Sequence, residues 1–143
     1  MADRQAYTTG NPPMTGYGEA RTLKAYGGAI ALLTTDLALN RTVTLFRVPA
    51  GFVVCDLKVT TTDMDSNGTP LLTFKLGDSG DDDRLLAAST IAQTGTNAYA
   101  SLVATTGLLY QYTTETEIQF TCSAAAATAV AGTLTVALIG YIA

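Results

Sequence analysis

The densest run of reactive side chains is Gly77-Asp78-Ser79-Gly80-Asp81-Asp82-Asp83-Arg84, and three kinds of chemistry could be built from it and its surroundings. A serine set between glycines suits a nucleophile, but a hydroxyl needs a general base, and the chain contains no histidine. Only a Ser79–Lys dyad through Lys24, Lys58 or Lys75 stays formally open. Paired carboxylates can run glycoside hydrolysis when they stand roughly 5–10 Å apart across a cleft with one pKa raised. Adjacent aspartates in a glycine-rich loop are instead expected to be solvated.

A second candidate lies just upstream. Asp63-Met64-Asp65-Ser66-Asn67-Gly68 has the opening oxygens of a calcium loop, with Asp63, Asp65 and Asn67 as possible ligands. The loop then fails, because Phe74 stands where a bidentate glutamate would close the coordination sphere. A hairpin turn is the better expectation, with no metal and no cofactor. The Asn-x-Thr sequons at Asn40 and Asn67 carry no weight without evidence of secretion.

The elements that must position these loops read as strands. Apolar and polar residues alternate with a period of two: Val53, Cys55, Leu57 and Val59 against Asp56, Lys58 and Thr60; Leu72, Phe74 and Leu76 against Thr73 and Lys75; Ile118, Phe120 and Cys122 against Gln119 and Thr121. Both cysteines are therefore expected to face inward, and neither belongs to a CxxC or other metal-ligand spacing. Further strands are expected at Ala29–Thr35, Thr42–Val48, Tyr99–Val103, Leu108–Tyr112 and Thr133–Ile142. Pro49-Ala50-Gly51 reads as a hairpin turn, and Asp81–Ala92 could supply a helical turn or two with Asp81 as N-cap. The fold class that follows is all-β, a jelly-roll-like two-sheet antiparallel sandwich of about eight strands.

Charge is distributed unevenly. All eight basic residues lie at or before Arg84, and beyond it the only charged side chains are Glu115 and Glu117. A surface this poor in charge is expected to be buried against other protein. In the strand Thr133–Ile142 both faces are apolar, so it is either central or covered by a neighbour; Leu134, Val136, Leu138, Ile139 and Tyr141 are the candidate subunit interface. A net charge of −4 argues against nucleic acid as partner. The uncharged stretch from Ile118 is too rich in Thr, Ala and Gly for a spanning helix, and the N-terminus lacks a secretory pattern.

Residues 1–28 form a separate unit of weak periodicity and abundant turn formers, read as an extended N-terminal arm before a domain at 29–143. Tyr7, Tyr17 and Tyr26 are its candidate anchors on a partner, together with Asp81, Asp82, Asp83 and Arg84 in the acidic loop.

The acidic loop also carries a resemblance. Gly77–Arg84 followed by Leu85-Leu86-Ala87-Ala88 resembles the G-D-x-G-D-x-D-R-F/L-hydrophobic-A segment of small β-rich structural proteins of tailed bacteriophages, and the strands Leu71–Leu76 and Gly132–Tyr141 are similar in layout. It covers roughly Ala29 to Ala143. What it implies is a non-enzymatic capsid decoration or cement protein, often a homotrimer, that binds the major capsid protein on the outside of the shell and stabilises it. Such a protein would be made in the bacterial host cytoplasm and reside in the virion. A head–tail joining or tail component, or a metal- or carbohydrate-binding sandwich with Tyr99, Tyr110 or Tyr112 as a sugar platform, are the alternatives.

Overall fold

The computed structural model describes residues 4–5, 22–94 and 106–143. Among the described residues eight strands run β1 (Arg4–Gln5), β2 (Lys24–Leu32), β3 (Thr42–Val48), β4 (Phe52–Thr61), β5 (Thr73–Gly77), β6 (Leu86–Ser89), β7 (Thr116–Ala124) and β8 (Gly132–Ile142). They form two sheets, β1-β3-β7-β5-β6 and β2-β8-β4. Residues 109–112 add a short fourth lane beside β4: the Leu109 N–H donates to the Val54 carbonyl (2.8 Å), Val54 to Tyr110 (3.0 Å) and Tyr112 to Phe52 (2.9 Å). With that lane the strands cross between sheets at every connection except β5–β6, in the order of two Greek keys, which is a jelly roll.

The two-residue alternation explains the core. Phe74 and Leu76 of β5, Ile118, Phe120 and Cys122 of β7, and Leu134, Val136 and Leu138 of β8 are all buried between the sheets. Phe74 stacks on Phe120 with ring centroids 5.3 Å apart. Burial at Cys122 pushes its thiol pKa up to about 11, so it behaves as a small apolar core residue.

Several expectations need correction. A bulge between Val54 and Asp56 in the β4–β8 pairing shifts the side-chain alternation by one residue. Phe52 and Val54 therefore point inward ahead of Leu57 and Val59, and Cys55, expected inside, is left half-buried. Pro49-Ala50-Gly51 is a tight turn, with φ +85° at Gly51, but not a hairpin, because β3 and β4 belong to different sheets. Leu85 and Leu86 pair with β5 rather than with a helix: the Leu85 N–H donates to the Leu76 carbonyl at 3.0 Å, and only a 3-10 turn at Ile91–Gln93 follows. Cross-strand pairing there overrides the local helical tendency.

The first expected strand also starts earlier and ends sooner, at Lys24–Leu32 instead of Ala29–Thr35. Tyr26, Gly27 and Gly28, assigned to the arm, lie in this strand and pair with β8. Gly27 has φ +133°, and a methyl there would strike the Val136 carbonyl, so glycine is required for the approach. Arg4 and Gln5 are strand residues too, paired in parallel with Val43 and Thr44 at the edge of β3. The chain is thus fastened to the sandwich at both sides of residues 6–21.

β8 is a central strand, as one of the two sequence readings required. Leu134, Val136 and Leu138 have at most 1% of their surface exposed within a single chain. Nothing is left on them for a partner to cover, so they are core residues and not a subunit interface. Ile139 and Tyr141, half-buried, stand on the opposite, outer face with Ala137. Leu138→Asp should accordingly abolish folding of the isolated domain, a loss above about 4 kcal/mol from an unpaired buried carboxylate. Circular dichroism should show no cooperative melt for it, while Lys58→Ala on the exposed face melts close to the wild type.

Candidate functional site

Strand directions divide the loops between two ends of the sandwich. One end gathers residues 33–41, 62–72 and 125–131; the other gathers 49–51, 78–85 and 113–115. At each end a buried aspartate sets the geometry.

At the first end Asp65, 1% exposed, receives five backbone N–H groups. Its Oδ2 accepts from Leu71 (2.8 Å), Leu72 (3.1 Å) and Ala127 (2.9 Å), and its Oδ1 from Thr128 (2.8 Å) and, more weakly, Asn67 (3.5 Å). Burial alone would raise its pKa, but these donors outweigh it and hold the carboxyl far below the usual range. N–H dipoles converge on the Asp65 oxygens, the arrangement of a loop anchor. Asp63 and Asn67, both exposed, each accept one backbone N–H, from Asp65 (3.0 Å) and Thr69 (2.9 Å).

A second buried carboxylate at this end, Asp36, was not singled out from sequence. Arg4 grips it in a fork, Nη2 to Oδ2 at 2.6 Å and Nε to Oδ1 at 3.1 Å, and the Leu33 N–H donates to Oδ2 at 2.8 Å. Arg4 Nη2 also reaches the Ala31 carbonyl of β2 at 3.1 Å, so one guanidinium ties β1 to β2 of the other sheet and to the turn that follows it. The sequence did hold a signal: Asp36 is the lone charge between Ala25 and Asn40. Around these polar anchors the loops expose Leu33, Leu39, Leu71 and Val130.

The other end holds the acidic loop. Asp78, 6% exposed, accepts from the N–H groups of Gly80 (2.9 Å) and Asp81 (3.0 Å) through Oδ1, and from Arg84 Nε (2.6 Å) through Oδ2. Gly77 is obligatory, since a methyl would meet the Asp81 and Asp82 backbone as the loop folds back. Arg84 is held charged chiefly by its hydrogen bond to Asp78, and its guanidinium lies 3.9 Å from the centroid of the Tyr110 ring. The Gly-Asp-x-Gly-Asp-x-Asp-Arg pattern is therefore a folding device that locks the β5–β6 connection onto the fourth lane.

Of the expected docking residues, Asp82 and Asp83 are exposed, Asp81 is half-buried and Arg84 is spent on Asp78. The three aspartates bring carboxylate oxygens within 4.8 Å of one another. Crowding by Asp81, through a shared hydrogen bond first, raises the pKa of Asp83. Lys75 neutralises Asp82 at 3.3 Å. Tyr26 is half-buried and packs edge-on to Phe52 (5.2 Å, 84°) on the core side of β2. Tyr7, Tyr17 and Tyr99 lie outside the described residues.

Ser79 is exposed at a cleft of about 240 Å³ but has no base to activate it. Lys58 and Lys75 are paired with Asp56 and Asp82, and Lys24 sits on the far edge strand of the other sheet. Tyr110 and Tyr112 offer no free sugar platform, since they pack on each other (5.0 Å, 75°) with Arg84 over Tyr110. Among the described residues no helix is long and apolar enough to cross a membrane.

The fold these loops decorate is a two-sheet jelly-roll sandwich. No protein-family model matches the chain, and no curated protein is similar to it. Two solved structures are. A chain of the cyanophage Pam1 capsid asymmetric unit is 30% identical with a TM-score of 0.76, the match covering 96% of each chain. A chain of the capsid of Ralstonia phage GP4 has a TM-score of 0.81 at 20% identity, over 100% of this chain and 99% of that one. The protein belongs to the family of phage capsid-associated proteins represented by the Pam1 chain.

The Asp65 cluster makes stability depend on acid in a defined direction. Its carboxyl titrates lower in the folded state than the roughly 3.9 of an unfolded aspartate, so its contribution is complete above about pH 4 and is lost as pH falls below that value. Asp65→Asn should cost roughly 2–4 kcal/mol at neutral pH by leaving several amides without their charged acceptor. It should also flatten the acid limb of the stability curve measured by urea titration. Chelator should leave the wild-type melting temperature unchanged.

Proposed function

We propose that the protein is a non-enzymatic decoration or cement protein that binds the major capsid protein on the outside of a phage shell, as an oligomer and in all expectation of the motif a trimer, and stabilises the shell. The observation that carries this is the near end-to-end match to a chain of a capsid asymmetric unit. The net charge of −4 supports an outside position, since packaged DNA would repel it. Repetition supplies the strength, because the second and third contacts of a trimer are intramolecular once the first has formed, with gains of about 10²–10⁴.

The subunit contact is assigned to the outer face of β2-β8-β4, where Ala25, Ala29, Ala137, Ile139 and Tyr141 surround a lone Asp56–Lys58 pair (3.1 Å). Strand spacing and rise give this face roughly 400 Å². A stable interface needs about 500 Å² from each partner, so adjoining loops with exposed leucines must contribute as well.

Two measurements check the proposal. Purified protein added to expanded, DNA-free heads that lack it should bind saturably and raise the temperature at which they rupture; heads that stay bare contradict it. In sedimentation the free protein should be a multimer that Ile139→Arg dissociates by at least about tenfold in affinity without abolishing the melt. An unchanged multimer removes this face from the interface.

A further inference from the structure

The turn that opens the fourth lane holds a leucine where the backbone calls for glycine. Residues 107–110 form a turn closed by the Tyr110 N–H on the Gly107 carbonyl (3.2 Å), and its third residue, Leu109, has φ +61°. Leu109 is also the extra residue of a bulge: its N–H donates to the Val54 carbonyl (2.8 Å), while the Val54 N–H donates to the Tyr110 carbonyl (3.0 Å). Both settings, the third place of such a turn and the first place of such a bulge, favour glycine, which enters the left-handed region without steric cost. Among the described residues one other non-glycine has a positive φ, Asn40 at +62°, and asparagine is a type that tolerates it.

Packing within the chain does not account for that strain. The Leu109 side chain is 62% exposed, its neighbour Leu108 is 54% exposed, and neither is among the apolar residues packed against the core. Strain kept at an exposed position points to a role outside the single folded chain. The place is specific as well. Leu109 is hydrogen-bonded to β4 at Val54, beside the Asp56–Lys58 pair and one strand away from Ile139, which stands opposite Asp56. The two leucines therefore border the outer face of β2-β8-β4. Asp56 and Lys58 neutralise each other there at 3.1 Å, so copies of an acidic chain can meet on this face without repulsion.

We infer that Leu108 and Leu109 form a knuckle that a second copy of this chain buries, completing the subunit contact that the outer face begins. The inference rests on the oligomer reading and on the assignment of that contact to β2-β8-β4. Area argues for a second copy as the occupant. The outer face offers roughly 400 Å² where a stable contact needs about 500 Å² from each partner, and two leucines more than half exposed add on the order of 100 Å² apiece. With them the contact is large enough, and without them it falls short. A leucine held in a single left-handed conformation also fixes the knuckle before association, so little freedom is lost when the copies meet.

Sedimentation of wild type, Leu109→Gly, Leu109→Asn and Ile139→Arg tests it, beside urea unfolding of Ile139→Arg with and without Leu109→Gly. Glycine and asparagine both accept the left-handed conformation, so each relieves strain while removing the apolar side chain, and each should weaken self-association about tenfold. In the dissociated Ile139→Arg background, Leu109→Gly should leave the urea midpoint unchanged or raise it. Undiminished self-association of either Leu109 variant, with Ile139→Arg dissociated, overturns the inference and leaves the outer-face reading standing. A lower midpoint in the double variant also overturns it, because the leucine then serves the fold of the single chain. A wild type that sediments as a monomer, or a multimer that Ile139→Arg leaves intact, overturns the outer-face reading and this inference with it.

Discussion

Carboxylates enclosed by backbone N–H groups are the constraint on which the ends of this sandwich depend. Loops that leave two packed sheets expose donors and acceptors that strand pairing does not satisfy, and burying them unpaired would cost a few kcal/mol each. Asp65 takes up five such donors from three stretches of chain. Asp78 takes up two amides and a guanidinium, and Asp36 one amide and the fork of Arg4. Each is a short acid doing for a loop what a ladder does for a strand.

That constraint accounts for how a chain with so little charge holds its surface in order. The sheets themselves need only alternation, and the core from Phe52 to Leu138 supplies it. The loops are then preset as platforms: one end apolar, with leucines exposed over a polar frame, and one end acidic, with a groove beside Tyr112. On the proposed decoration role, surfaces fixed before binding are an advantage, because ordering them at the moment of association would subtract from affinity. Asp36, Asp65 and Asp78, acids that look reactive in isolation, are spent on this presetting.

The sequence disclosed the strands better than their relations. Period-two patterning located β3, β4, β5, β7 and β8 within a residue or two, and turn residues marked their ends. What it could not disclose was sheet membership, since Pro49-Ala50-Gly51 looks the same whether it closes a hairpin or crosses between sheets. Nor does a single extra residue at Cys55 show in a pattern that remains apolar on both sides of it. The two apolar faces of β8 were visible, but only its place between β2 and β4 shows that Leu134, Val136 and Leu138 belong to the core while Ile139 and Tyr141 look outward. For the loops, the acids were noticed as possible ligands; that their partners are amides, some of them more than sixty residues away, depends on tertiary closure.

Native-state amide exchange tests this organisation most directly. If Asp65 anchors its loops as described, the amides of Leu71, Leu72, Ala127 and Thr128 should exchange as slowly as those of central strand β8, opening only with the whole domain. Exchange at the fast rate of open loop amides, with β8 still protected, would contradict it.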